Sequence, residues 1–176
     1  MLHSQGVLES RFFMLGRDRG FFELIEYLKF GSIIYLLKDY WQQSQVMVIK
    51  AWMILFIVVL LDNAIGLHEE IGELLITFFT IPYLGLHQRK DVAEIMVFIA
   101  LEGSALLYVA YHYLASSGVA RQFSNLLLVV VVGFGITVVV LDAAHSRFEE
   151  YTEIIGMTFM LAIIHTQRSK FIKTNN

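Results

Sequence analysis

Cysteine is missing from the 176 residues and proline occurs once, as Pro82. Without cysteine there are no disulfides, thiolate zinc sites, iron–sulfur clusters or thiol catalysis. A single proline argues for helices rather than a barrel of many strands and turns. Charge is scarce as well: 16% of residues are charged, where a soluble domain carries about 25%. The first twenty residues are polar and basic without a compact apolar core, so no secretory signal peptide is expected. There is no Gly-rich phosphate loop, no Ser-His-Asp arrangement and no HExxH. What remains is apolar: 57% of residues are hydrophobic, gathered into long runs that predict a membrane protein.

The expected fold is an all-α integral membrane bundle of four transmembrane helices with an N-terminal interfacial helix. Residues 1–45 read as a leader and that helix, 46–170 as the bundle, and 171–176 as a polar tail. The helix over 20–43 carries Glu23, Glu26, Lys29, Lys38 and Asp39. Each charge would cost roughly 2.5–3.5 kcal/mol at the bilayer centre, so the helix is expected to lie on the membrane. Spans are predicted at about 46–62, 91–114, 123–142 and 151–165. Residues 72–86 are apolar but short and are broken by Pro82, which suits a re-entrant or interfacial segment. Ser116-Ser117-Gly118 reads as a turn.

With four spans and both termini cytoplasmic, ten of the thirteen basic residues fall on the inner side, as the positive-inside rule asks. An inner membrane of bacterial type is the expected location. A six-span alternative rests on the likeness of Phe30-Gly31-Ser32 to Glu102-Gly103-Ser104. Three spans per repeat would invert the second half.

An internal repeat marks the candidate site. Val58-Val59-Leu60-Leu61-Asp62, followed by Glu69-Glu70-Ile71-Gly72-Glu73, recurs eighty positions later as Val138 to Asp142 and then Glu149 to Glu153. Asp142, His145, Glu149 and Glu153 fall on one stripe if helix runs through them. Asp62, Glu69 and Glu73 repeat it, with His68 one step round. Carboxylates and imidazoles facing across a bundle build di-metal sites, and oxygen-rich versions suit Ca²⁺, Mg²⁺ or Mn²⁺. A divalent cation is therefore the candidate cofactor. The other readings are a solvated acidic cap, favoured by helix dipoles, and a proton or ion pathway.

Glu102 lies near the middle of the second span, where a carboxylate by default marks function. The structural alternative is an interhelical hydrogen bond to Thr137, Ser124 or Asn125, with Gly103 at a tight helix contact. Gly133 and Gly135 are read as allowing close packing or a bend. His112 sits among Tyr108, Tyr111 and Tyr113, as in an interfacial aromatic belt; with His165 it could also form a bis-His haem pair.

Several of these segments together resemble the phosphate-starvation-inducible PsiE family of small four-helix membrane proteins. The likeness covers about residues 50–170. It rests on Phe56-Ile57-Val58-Val59 leading to His68, on Phe98 to Glu102, on Ser117-Gly118, and on Gly135-Ile136-Thr137 leading to Asp142 and His145. The arginine that this family places late in its third helix has no counterpart at Val138 to Val140. The resemblance implies a fold and a location rather than a reaction. Two functions are expected on these grounds. One is a non-enzymatic membrane protein acting as a homo-oligomer or as an accessory subunit. The other is a metal-dependent enzyme or cation/proton carrier using the duplicated cluster. The partners expected are lipid, further copies or other membrane subunits; nucleic acid is not among them.

Overall fold

Phe30, Ile33, Leu37 and Tyr40 recur at intervals of three and four, which puts them on one face of a helix. In the computed structural model that face is buried, and the core is built on it. The structure describes residues 21–82, 89–143 and 149–175. They form six helices: α1 (Phe21–Ser44), α2 (Met47–Ile65), α3 (Leu67–Phe78), α4 (Arg89–Leu114), α5 (Gly118–Ala143) and α6 (Glu149–Asn175). Among the described residues there is no strand.

Helices α1 and α2 form an antiparallel hairpin. Gln45 makes the turn in a left-handed conformation (φ 54°), donating its N–H to the Trp41 carbonyl at 2.7 Å. The pairing runs the full length of the hairpin: Lys50 lies over Trp41, Phe30 meets Phe56, and the Tyr27 hydroxyl donates to the Asn63 carbonyl at 3.2 Å. Helix α6 packs on the other side of α1 and runs parallel to it. Lys29 Nζ donates to the Ile154 carbonyl and Thr158 Oγ1, and further along Asp39 pairs with Arg168. Helix α5 packs along α6. Its first turns meet the hairpin, with Phe123 edge-on to Tyr40 and Ser124 Oγ accepting the Trp52 indole N–H at 3.1 Å. The apolar centre is shared by α1, α2, α5 and α6, with Ala105 and Val109 added from α4.

This arrangement corrects the sequence reading of the leader helix. Helix α1 is not laid flat beside the bundle; it is packed between α2 and α6. Its charges escape the core because the buried stripe is narrow: Lys38 is exposed, while Lys29 and Asp39 find partners on α6. Helix α4 packs against α2 and α3. Helix α6 continues to Asn175, through the stretch expected as a polar tail. Two helices, α2 and α4, are long and apolar enough to cross a membrane, and Gly118–Gly133 forms a shorter apolar helical stretch.

The helix directions bear on the repeat. Helix α5 starts beside the α1–α2 turn and ends where α6 begins, at the level of Lys29. Asp62 and Asp142 thus lie near the ends of two helices that run the same way, so both acidic stretches belong to one end of the bundle. The inverted six-span alternative would have needed them at opposite ends.

Candidate functional site

A glycine decides the geometry of the first acidic stretch. Gly66 takes a left-handed conformation (φ 68°, ψ 41°) and is at once the C-cap of α2 and the N-cap of α3. Its N–H donates to the Asp62 carbonyl at 2.7 Å, and its own carbonyl accepts from Glu70 N–H at 3.0 Å. Helix is therefore broken between Asp62 and Glu69, although the chain keeps its direction. Both α2 and α3 run antiparallel to α4, since His68 meets Phe98, Gly72 meets Glu94 and Glu73 meets Lys90. The break lies beside the middle of α4.

A break leaves backbone donors without partners. Asp62 meets that need: it is 0% exposed, and one carboxylate oxygen accepts the His68 backbone N–H at 2.8 Å. Its other oxygen lies 2.8 Å from His68 Nδ1. A carboxylate at that distance is an acceptor for an Nδ1–H of the ring. The ring is edge-on to Phe98, with centroids 6.4 Å apart. Glu102 is partly buried on α4, one helical turn after the Phe98 that the His68 ring meets. Among the described residues it accepts no hydrogen bond.

The partners expected for Glu102 are engaged elsewhere. Thr137 Oγ1 donates to the Gly133 carbonyl, Ser124 accepts from Trp52, and Asn125 Oδ1 accepts from the Tyr113 hydroxyl at 2.8 Å. The close helix approach is not at Gly103 either, where an added Cβ would meet only Ile99 of its own helix at 3.7 Å. It is at Gly72, where a Cβ would lie 3.2 Å from the Glu94 backbone nitrogen. Gly133 has open space beside it and packs nothing closely; the side chains around residue 135 lie outside the described set.

The metal stripe does not assemble in the first copy, because its premise of one continuous helix fails at Gly66. Glu69 is exposed, and Glu73 is ion-paired with Lys90 at 3.0 Å. Among the described residues no three Asp, Glu or His side chains are grouped so as to hold a metal ion. In the second copy Asp142 closes α5, and Glu149 and Glu153 open α6. Their side chains, and the whole of His145, lie outside the described residues. His112 has Tyr108 and Tyr111 edge-on at 4.6 and 5.1 Å on the same helix. His165 is exposed on α6, which does not pack along α4.

Sequence reasoning missed three residues of this region: Gly66, Gly72 and Lys90. Lys90 Nζ bridges Glu73 and Glu94, at 3.0 and 3.2 Å, and ties α3 to α4. A glycine four residues after Asp62, inside an otherwise helical pattern, was the available signal for the break. No family model, no curated protein and no solved structure matches this chain.

Proposed function

We propose that this chain is a small, non-enzymatic integral membrane protein that takes up a proton at the Asp62–His68–Glu102 centre and acts as a proton carrier. The observation that carries the reading is a buried carboxylate bonded to an imidazole at a broken helix, beside the middle of a long apolar helix that carries Glu102 one turn from the imidazole's Phe98 contact. Broken helices at membrane depth are where carriers hold their coupling ions, because freed backbone groups and buried acids can trade partners there. His68 and Asp62 form one hydrogen-bonded pair, and Glu102 is a second carboxylate on the facing helix. Orientation follows from charge. One end carries Lys38, Lys50, Arg121, Arg168, Lys170 and Lys173, while the acids collect at the other. The positive-inside rule assigns the basic end to the cytoplasm.

The test is dissipation of an imposed pH gradient in liposomes loaded with a pH-sensitive dye. Wild-type chain should speed dissipation, Asp62→Asn and Glu102→Gln should abolish the gain, and the exposed Glu69→Gln should keep it. Wild-type liposomes no leakier than empty ones would sink the reading.

A second reading, as a subunit that self-associates or docks on another membrane protein, is favoured by one surface. Ile99, Leu106 and Leu107 on α4, with Val129 on α5, are exposed. The resemblance to the PsiE family supports the same location. Cross-linking through Leu107→Cys in membranes, giving a discrete dimer or a defined partner band, would favour it over the carrier.

A further inference from the structure

The end of the bundle away from the helix break has a chemistry of its own. Two of its cations lie over aromatic rings. Lys50 Nζ lies 4.9 Å from the Trp41 ring centre, and the Arg121 guanidinium lies 5.1 Å from that of Tyr113. The pairs are at the same level. Lys50 precedes buried Trp52 by two residues and Arg121 precedes buried Phe123 by two, so each stands about 3 Å nearer this end than the buried ring that follows it. Trp52 and Phe123 belong to one contact region, since Trp52 bonds Ser124 and Phe123 meets Tyr40. Asp39 is the one acid at this end among the described residues, and it is occupied by Arg168. Lys38 adds a further exposed cation.

A cation on an aromatic face is held in place while its outer N–H groups stay open to an acceptor. With the local carboxylate already paired, the acceptors that complement this end are anions from outside the chain. Aromatic rings at the edge of an apolar bundle mark headgroup level. We infer that this end binds the phosphates of anionic phospholipid headgroups through Lys50 and Arg121, each seated on its aromatic ring. The inference rests on the membrane reading above but not on the proton reading.

The 176-residue chain, purified in neutral detergent, is offered equal amounts of phosphatidylglycerol and phosphatidylcholine, and retained lipid is read by native mass spectrometry. Wild type should retain phosphatidylglycerol in preference. Lys50→Gln and Arg121→Gln should each lower that preference roughly fivefold, the weight of one basic residue near an anionic surface. Lys50→Arg should preserve it, and circular dichroism should show every variant equally helical. Equal retention of the two lipids, or a preference that survives the double Gln variant, overturns the inference. Release of the lipid by an equal concentration of inorganic phosphate also overturns it, since the site would then take the free anion. Alkaline carbonate extraction of membranes separates the two levels. A chain that stays in the pellet but shows no lipid preference refutes this inference alone, whereas a chain released by carbonate refutes the membrane reading and the inference with it.

Discussion

Helices α1 and α4 reverse what their compositions imply. Helix α1 carries five charges in its apolar stretch, and it is packed on two sides. Helix α4 is far more apolar over its central turns, yet only 28% of its apolar window is buried. Total hydrophobicity measures how well a helix tolerates lipid on all faces; the spacing of apolar residues measures whether it has a core face. Helix α1 has the spacing, with Phe30, Ile33, Leu37 and Tyr40 enclosed while Leu28 and Tyr35 are exposed. Helix α4 has the hydrophobicity, with Val97, Ala105 and Val109 buried and the bulk of its large side chains outside.

The sharpest way to break this contrast is to truncate one leucine on each helix. Leu37→Ala should cost about 2–5 kcal/mol, as for other buried leucines, whereas Leu107→Ala, at 73% exposure, should stay within about 0.5 kcal/mol. Denaturant unfolding in mild detergent, followed by tryptophan fluorescence, checks both; equal losses would end the distinction. Next in size is a pair of glycines. Gly72→Ala should cost about 1–3 kcal/mol through overpacking, because the Glu94 backbone cannot yield as a flexible side chain would. Gly103→Ala meets nothing rigid and should be neutral, or stabilising by up to about 1 kcal/mol from helix propensity. Thermal melts of the two variants compare them directly.

Asp62→Ala leaves the His68 N–H enclosed without its acceptor, an expected loss of about 1–3 kcal/mol. It should show as faster amide exchange in the first turn of α3 with α1 unchanged. Protection that is lost evenly along the chain would instead mean that the break is not a local unit. Lys90→Ala should have the smallest effect. Its two ion pairs are open to solvent, so any fall in melting temperature should vanish in high salt.

Helix positions were legible in the sequence because apolar runs and breakers mark them. The turn at Gly118, the end of α3 ahead of Pro82 and the starts of α4 and α5 all follow from local residues. Partnership between helices was not legible. The five charges of α1 suggested an interfacial helix because their cost is counted per residue, while relief comes from α6, whose Ile154, Thr158 and Arg168 no local window contains. The site was half legible. Asp62 and His68 were singled out together in the acidic cluster, and Glu102 separately as an intramembrane carboxylate. Their placement depends on the break at Gly66 and on the register of α4, where Gly72 packs against Glu94. The continuous stripe over Asp62, Glu69 and Glu73 failed because periodicity assumes an unbroken helix.

The hold of Lys29 on Ile154 and Thr158 joins positions 125 and 129 residues apart. The first described helix therefore cannot complete its surroundings until the last has been made. During synthesis its second flank must wait, uncovered or borrowed by a chaperone, until the ribosome has delivered nearly the whole polypeptide. A chain cut short ahead of α6 would present that bare flank to the cell's quality-control proteases, and its turnover should be correspondingly fast.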